Sequence, residues 1–371
     1  MAVTEDELVA LTRDLVEVPS HEAAGERQAG DHVESWLRTE TDANVRRDNH
    51  GNVFGRRTSV DGGPTLALVG HHDVVPPAEA HVTDGGNRLT FEADGERLYG
   101  RGTADMKGAL AAAMLAFRDA DPATDLVFAS FVAEEQGGLG AQAAVEAGFA
   151  PDQAIVAEGS TGYSAPDVTD VAVAHRGRRA VTVEASGEAG HASEPDTGPN
   201  AIDRACDAIA ELRAVDPPET TVLGHTMTGL LTVTGVEGGS AWNVVPKHCE
   251  VTVDERTVPG ARANLRRVKG VAGVSTRVDQ DLPPMACSEP ALADATLAAA
   301  RAEGGGDGTP SKIVKPHATD AGRLATAGTA CVVCGPAEPG EAHTADESVS
   351  VAVLARCRRI YRRVAERKRT G

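Results

Sequence analysis

Two unbroken apolar stretches separated by a helical pattern constrain the fold of this chain more than any other feature. The stretches PTLALVG (64–70) and TDLVFASFVA (124–133) are predicted to be buried strands, and KGALAAAMLAFRDA (107–120) between them is predicted to be a helix. Strands that are apolar on both faces are typical of parallel sheets covered by helices. The strand–helix–strand order therefore predicts an α/β fold with a mainly parallel sheet covered by helices.

A second pattern begins near residue 176 and ends near residue 285. Its predicted elements are strand 178–186, helix 200–215, strands 229–238 and 248–259, helix 261–271 and strand 274–284. This β-α-β-β-α-β order is typical of a ferredoxin-like α+β unit. The strand CVVCGP and a final helix (349–366) then resume the first pattern. We therefore predict an α/β domain of residues 1–175 and 286–371, with a domain of residues 176–285 inserted into it.

The strongly negative net charge argues against one class of binding partner, nucleic acids. The formal net charge is −19, whereas nucleic-acid binding requires a basic surface, so we expect no nucleic-acid partner. The first residues, MAVTEDELVALTRDLVEV, lack the basic and apolar regions of a signal peptide. No apolar run approaches the roughly 20 residues of a membrane span. We predict a cytoplasmic protein without a membrane partner, whose acidic, Lys-poor composition resembles proteins of salt-loving archaea.

The six cysteines do not predict a metal or redox site. Cys331 and Cys334 form a C-x-x-C pair within GTACVVCGP. A metal or redox site is one interpretation, and a buried strand in which Cys acts as a small hydrophobe is the other. Because the chain has no second C-x-x-C pair to complete a zinc site, we favour the buried strand.

The stretch LVGHHDVVP (68–76) places two histidines and an aspartate at the end of a predicted strand. Alternation along the strand puts His71 and Asp73 on one face and His72 on the other. A metal-binding imidazole commonly donates its second N–H to a carboxylate, which would make Asp73 the partner of His71. Taken alone, such a pair is more often structural, so its meaning depends on partners elsewhere.

Further candidate ligands follow other predicted strands or lie in connecting loops. Asp105 follows a glycine-rich turn in LYGRGTADMKG, where a helix N-cap is the alternative role. Glu134 and Glu135 are adjacent in VAEEQGG, where two carboxylates at a buried strand end repel each other unless cations compensate them; a solvated acidic loop is the alternative. The candidate ligands are His71, Asp105, Glu135, Glu158 and His343. Two histidines and three carboxylates suit a pair of divalent metal ions bridged by one carboxylate.

Seven motifs occur in the order found in one family of metallohydrolases: GHHDVVP, LYGRGTADMKG, VAEEQGGLGA, GHASEPDTGPNAI, NVVPKHCEVTVDERTVPG, ATDAG and GEAHTADE. Through these motifs the chain resembles the co-catalytic di-zinc metallopeptidases and deacylases. That family includes acetylornithine deacetylase, succinyl-diaminopimelate desuccinylase, aminoacylase and glutamate carboxypeptidases. The resemblance spans nearly the whole chain. It implies that residues 1–175 and 286–371 form a metal-binding catalytic domain and that residues 176–285 form a dimerisation and lid domain.

The resemblance implies a role for each matching ligand position. His71, Asp105 and Glu158 would bind one metal ion, and Asp105 would bridge it to a second ion bound by Glu135 and His343. Both ions would be zinc, with cobalt or manganese as the alternatives. The family also implies a cis peptide bond after Asp105.

The same resemblance implies roles around the metals. Glu134 would be the general base and proton shuttle, and Asp73 would orient His71. His191 would reach the active site of the partner subunit in a homodimer and stabilise the oxyanion there. Asn243 and Arg256 would hold the substrate carboxylate and nearby polar atoms, for which the planar guanidinium is suited.

The implied reaction is removal of an N-acyl group, acetyl or succinyl, from a small amino-acid-like substrate. A dipeptidase or carboxypeptidase with the same site is the alternative, in which the small-molecule partner is a short peptide. The third hypothesis is a non-catalytic scaffold protein. The presence of Glu134 together with all five candidate ligands argues against it. The chain departs from the family at two places: Ala133 precedes Glu134-Glu135 where many relatives have D-E-E, and Gly159 follows Glu158 where deacylases usually have Pro.

Overall fold

The computed structural model describes residues 5–22, 24–59, 63–194 and 198–367. The chain forms two compact units: the first is Met1–Ala174, Ala286–Lys315 and Thr319–Gly371, and the second is His175–Met285 and Pro316–Ala318. The chain ends of the predicted catalytic domain (1–4 and 368–371) and part of the motif GHASEPDTGPNAI (195–197) lie outside the described residues. Among the residues described, no helix combines the length and apolar character that a membrane span requires.

The helices of the first unit lie between and after its strands. In the described residues they are Glu5–Val16, Arg27–Glu40, Gly108–Asp119, Leu139–Glu146, Pro290–Glu303, Asp320–Thr326 and Val351–Ala365. Glu5–Val16 ends before Pro19, because proline cannot continue a helix. The two helices predicted in this unit, 107–120 and 349–366, are reproduced to within two residues at each end.

The largest sheet has nine strands and carries the fold's parallel core. In spatial order they are Asn44–Arg47, Val53–Arg57, Leu126–Phe131, Leu66–His71, Gln153–Val156, Ala330–Val333, Val171–His175 and Met285–Ala286, with Lys312–Lys315 also pairing with Val171–His175. The four strands from Leu126–Phe131 to Ala330–Val333 in this order are parallel. Their neighbours on either side, Val53–Arg57 and Val171–His175, are antiparallel to them. The prediction of a mainly parallel central sheet is confirmed.

The core of the first unit forms where the helix Gly108–Asp119 packs against the strands Leu66–His71 and Leu126–Phe131. Both strands are buried at every position. The small alanines of the helix allow its backbone to approach the sheet closely. Gly70 is part of this approach, since a Cβ there would lie 3.0 Å from Leu110 Cδ1 of the helix and 2.8 Å from Met106 Cε in the turn before it. The turn that carries Asp105 is thereby held against the end of the strand that carries His71.

Smaller strands complete the first unit. They are Glu92–Ala93, Arg97–Tyr99 and Ser348–Ser350 in one sheet, and Val82–Thr83 and Arg88–Leu89 in another. Cys331 lies in the buried strand Ala330–Val333 and Cys334 directly follows it. Both thiols are free and fully buried, which agrees with their interpretation as small hydrophobes.

The second unit is built on a four-stranded antiparallel sheet. Its strands in spatial order are Leu230–Gly238, His248–Thr257, Gly177–Ser186 and Val274–Leu282. The helices Ala201–Arg213 and Arg266–Gly270 contribute to a single apolar cluster with this sheet, centred on Val183, Val251 and Val268. The pairs Glu219–Val222 with His225–Thr228 and Gly190–His191 with Val244–Val245 lie outside the four-stranded sheet.

The predicted helix 261–271 is wrong in its first half. The helix covers Arg266–Gly270, because the chain is still turning in the residues before it. Gly260 has a left-handed φ of 76°, and the Arg266 N–H donates to Asn264 Oδ1 at 3.2 Å. The first N–H groups of a helix have no acceptor within the helix, so this contact satisfies one of them and marks where the first turn begins.

Candidate metal centre

The candidate site lies at the carboxyl edge of the parallel strands, where ligands bind in open α/β sheets. His71 is the last residue of the strand Leu66–His71. Glu134 and Glu135 follow the strand Leu126–Phe131, and Glu158 follows Gln153–Val156. Because neighbouring parallel strands end at the same edge, residues distant in sequence meet there.

Two imidazoles face opposite oxygens of one carboxylate. His71 Nε2 lies 3.1 Å from Asp105 Oδ1 and 3.3 Å from Glu158 Oε1. His343 Nε2 lies 3.0 Å from Asp105 Oδ2 and 2.9 Å from Glu135 Oε1. The structure thus brings all five predicted ligands together as two imidazole–carboxylate groups that share Asp105. The Asp105–Met106 peptide is cis, as the family resemblance implies.

The carboxylates around each imidazole favour positive charge. Burial lowers the pKa of His71, but contacts with Asp105, Asp73 and Glu158 outweigh it, so the pKa lies well above its usual range. Contacts with Asp105 and Glu135 raise the pKa of His343 to about 10. Both positions therefore lie in an electrostatic environment that stabilises a cation.

Glu134 is a buried carboxyl beside these groups. One ligand atom each of Glu134, His71 and Glu158 lies within 4.8 Å of the others. Burial raises the pKa of Glu134 well above its usual range, and the nearby carboxylates of Asp320, Glu158 and Glu135 raise it further. A carboxyl group beside the candidate ligands that binds a proton strongly is suited to act as a general base.

Asp73 connects His71 to the loop that carries the two glutamates. His71 Nδ1 lies 3.1 Å from the Asp73 backbone carbonyl oxygen and 3.3 Å from its Oδ1. The Glu134 N–H donates to Asp73 Oδ1 at 3.1 Å, and the Glu135 N–H donates to Oδ2 at 3.0 Å. Asp73 is therefore placed to orient His71, and it also fixes the glutamate loop, which the sequence does not indicate.

His72 points away from the candidate ligands. Its Nδ1 lies 2.8 Å from Ser130 Oγ, and the side chain is fully buried. Burial lowers its pKa to about 3, so the ring is neutral at physiological pH. Strand alternation therefore distinguishes the two adjacent histidines correctly.

Two charged residues around the site, the partly buried Glu26 and the buried Lys315, are not predicted from the sequence. The Ala133 N–H, in a left-handed residue with φ 51°, donates to Glu26 Oε2 at 2.9 Å. Lys315 Nζ donates to the Gly159 carbonyl, next to Glu158. Glu26 and Lys315 lie in no recognisable motif, so only the folded structure reveals them.

Two further buried carboxylates do lie in motifs. Asp320, within ATDAG, is almost fully buried, and burial raises its pKa to about 8. Glu347, within EAHTADE, accepts the N–H of Asp105 at 3.1 Å. The motifs could have drawn attention to both positions, but not to what they contact.

The predicted substrate residues lie in the second unit. His191 Nδ1 lies 2.6 Å from Ser193 Oγ, and its Nε2 lies 3.4 Å from Asn243 Nδ2. Arg256 Nε donates to Asp254 Oδ1 at 2.7 Å. The structure thus brings His191 and Asn243 together, whereas the Arg256 guanidinium is paired with a neighbouring aspartate.

The donor set fits two divalent cations. Imidazole nitrogens and carboxylate oxygens are ligands of zinc and related metals, and Asp105 offers one oxygen to each group. A buried cluster of carboxylates requires positive charge to compensate it. Fold and site together define a class: hydrolases with paired metal ions at the carboxyl edge of a parallel sheet.

Comparison with known proteins places the chain within this class. Residues 67–367 match peptidase family M20/M25/M40, and the chain belongs to that family. The family is metal-dependent and has a dinuclear metal site, and its members are hydrolases. Acetylornithine deacetylase of Myxococcus xanthus is 32% identical over 87% of this chain and 84% of its own. Succinyl-diaminopimelate desuccinylase of Bordetella petrii is 28% identical over 87% of each chain.

Solved structures share the fold. Aminopeptidase PepT of Bacillus cereus superposes with a TM-score of 0.80 at 20% identity and covers 98% of both chains. A dinuclear metal-binding peptidase of family M20 from Bacillus subtilis has a TM-score of 0.69 at 17% identity, covering 98% of this chain and 97% of its own. These likenesses establish the architecture of the chain.

The geometry makes opposite predictions for the adjacent histidines. We expect His71→Gln to lose at least one equivalent of bound divalent metal, because it removes the Nε2 that faces Asp105 and Glu158. His72→Gln should retain the full metal content while lowering the melting temperature, because its buried contact with Ser130 is altered. Elemental analysis after dialysis measures the metal. Equal metal loss in both variants would contradict the assignment.

Proposed function

We propose that this protein is a di-metal amidohydrolase that removes an acetyl or succinyl group from the nitrogen of an amino-acid-like substrate. The observation that carries the proposal is the position of Asp105, with Oδ1 toward His71 and Oδ2 toward His343. The relatives named acetylornithine deacetylase and succinyl-diaminopimelate desuccinylase support deacylation rather than peptide hydrolysis.

The residues present would hold two ions. His71 and Glu158 would bind one, Glu135 and His343 the other, and Asp105 would bridge them. The mixture of imidazole and carboxylate donors suits zinc, with cobalt or manganese as alternatives. When bound, such ions polarise the acyl carbonyl and lower the pKa of water.

Glu134 would move the proton. It accepts a proton from the water whose oxygen attacks the acyl carbon, and the new C–O bond forms. Glu134 then donates this proton to the amide nitrogen while the C–N bond breaks, so that the bonding electron pair stays on the nitrogen and a neutral amine leaves beside the carboxylic acid. The raised pKa of the buried carboxyl suits it to hold the proton between the two steps. Asp73, which accepts the Glu134 N–H, fixes the loop during the transfer.

The second unit would complete the site in a homodimer. His191 would stabilise the oxyanion in the active site of the partner subunit, a contribution worth about 3–4 kcal/mol per donor in other hydrolases. Its Nδ1 contact with Ser193 orients the ring and its side chain is exposed, both of which suit a residue that acts on another subunit. Asn243 and Arg256 would hold the substrate carboxylate and nearby polar atoms.

Exposed apolar residues of the second unit support an interface there. Val236, on the strand Leu230–Gly238, is 57% exposed, and Trp242 is fully exposed. A strand at the end of a sheet with exposed apolar side chains is suited to pair with a second copy. The net charge of −19 supports function in the concentrated salt of a halophilic cytoplasm, so assays belong in molar salt.

A substrate panel tests the proposed reaction. N-acetylornithine, N-succinyl-diaminopimelate, N-acetyl amino acids and dipeptides are to be compared side by side in molar salt with added zinc, cobalt or manganese. We expect kcat/KM to be highest for an N-acyl amino acid. Highest turnover of dipeptides would indicate a peptidase instead. Absence of both bound metal and metal activation would favour a non-catalytic protein.

The role of Glu134 predicts a separation of metal binding from turnover. Glu134→Ala should retain its metal, because the five proposed ligands are unchanged, and lose kcat by several orders of magnitude, because proton transfer at both steps is removed. Metal content and kcat are measured on the same sample, with Gln136→Ala in the same loop as the control. Near-normal turnover of Glu134→Ala would refute the assignment.

The dimer predicts complementation between two inactive variants. His191→Ala and Glu134→Ala homodimers should both be impaired. A co-expressed heterodimer should regain activity, because the subunit with intact Glu134 receives His191 from its partner. Light scattering in high salt should give the mass of a dimer. A monomer, or no gain of activity in the heterodimer, would exclude the role of His191 in the partner's site.

A further inference from the structure

One buried carboxylate organises the loop that carries Asp105. Glu347 has a side chain with no solvent exposure, and its Oε1 accepts the N–H groups of Gly102, Ala104 and Asp105 at 2.9, 3.1 and 3.1 Å. Its Oε2 pairs with the Arg101 guanidinium, which is also buried. A single side chain thus satisfies three backbone donors in four residues.

The backbone of Glu347 contacts the same loop. Its carbonyl oxygen accepts the Gly100 N–H at 3.0 Å. The next residue begins the strand Ser348–Ser350, in which Ser348 pairs with Tyr99. Side chain and backbone therefore attach the segment after His343 to the segment before Asp105.

The loop requires such an acceptor because its irregular backbone provides no partner for these N–H groups. Gly100 and Gly102 have φ values of 140° and 90°. Residues other than glycine rarely adopt such values, and neither helices nor strands contain them. Buried N–H groups in such an irregular segment cost free energy unless an acceptor is supplied. A carboxylate is a strong acceptor for several N–H groups at once, and Arg101 balances its charge.

The position of Glu347 links two ligands of one proposed ion. It lies four residues after His343, and it holds the backbone of Asp105, whose Oδ2 is 3.0 Å from His343 Nε2. Displacement of either loop would change the spacing of these two donors. Asp105 also faces His71, so the first proposed ion depends on the same backbone to a smaller degree.

We propose that Glu347, with Arg101 as its buried counter-ion, is a positioning residue that fixes the distance between Asp105 and His343 and thereby sets the affinity for the second metal ion. This inference rests on the proposed function, because it requires Asp105 and His343 to be ligands. Glu347 has no direct contact with the ion in this role. It acts through the backbone of one ligand and the chain path of the other.

The test is the zinc affinity of full-length variants, measured by competition with a chromophoric chelator. Glu347→Gln retains a carbonyl acceptor but loses the charge that pairs with Arg101. We expect it to weaken the second zinc site, identified as the one that His343→Ala removes, by about 10- to 100-fold, the range seen when residues behind metal ligands are changed. Excess zinc should restore most of kcat, since Glu134 and the ligands remain.

Arg101 provides a second, independent variant. Arg101→Gln should weaken the same zinc site, and Arg101→Lys, which retains a positive charge, should restore part of the affinity. The double variant Arg101→Gln with Glu347→Gln should lose less than the sum of the single losses, because the two residues act as one pair. Should Glu347→Gln fail to fold, the Arg101 series decides the question.

Glu303→Gln is the matched control. Glu303 has a side chain 11% exposed and pairs with Arg359 and Arg363 on the helix Val351–Ala365. Its loss should lower the melting temperature without changing zinc affinity. A general loss of stability would therefore be distinguished from a change at the metal centre.

The experiments distinguish failure of the positioning role from failure of the proposed function. If His343→Ala loses the second zinc ion while Glu347→Gln and Arg101→Gln bind zinc as the wild type does, the positioning role is wrong and the proposed function stands. If the wild type itself binds no zinc, cobalt or manganese, the proposed function fails and this inference fails with it.

Discussion

The contact of Asp105 with two imidazoles from distant parts of the chain is the interaction on which the rest of the site depends. One oxygen faces His71, at the end of a central strand, and the other faces His343, in a loop near the end of the sequence. The parallel sheet collects the ends of separate strands at one edge and so places His71 there, and the loop that carries His343 reaches the same carboxylate. The close packing of the helix Gly108–Asp119 on Leu66–His71 then brings Asp105 to that edge.

Negative charge has two separate uses around this centre. Glu135 and Glu158 present oxygens to the imidazoles, whereas Asp73, Glu347 and Glu26 accept backbone N–H groups from the loops that carry the site residues. Irregular loops have donors that no strand or helix satisfies, and these carboxylates, of which Asp73 and Glu347 are buried, supply the acceptors. These acidic groups therefore hold the site loops in place through the backbone, while Glu135 and Glu158 face the imidazoles.

Much of this arrangement is predictable from the sequence, for reasons that differ between residues. His71 is distinguished from His72 because alternation along a strand is a local rule, and the apolar runs predict the central strands for the same reason. Glu26 and Lys315 are not predictable, since their partners lie far away in sequence and no spacing rule connects them. The helix predicted at 261–271 is too long because apolar periodicity registers neither the turn at Gly260 nor the contact of the Asn264 side chain that marks the true helix start.

The proposed ligands extend from position 71 to position 343, and the second unit is encoded between them. A growing chain therefore holds an incomplete set of donors until nearly all of it has been synthesised. An ion that requires donors from both ends of the sequence binds the finished fold and not its fragments, and in doing so it stabilises only that fold. Loading of the second ion, which requires His343 together with Glu135 and Asp105, would then be the last step of maturation, and the content of that ion in a preparation would report how much of the protein has completed its folding.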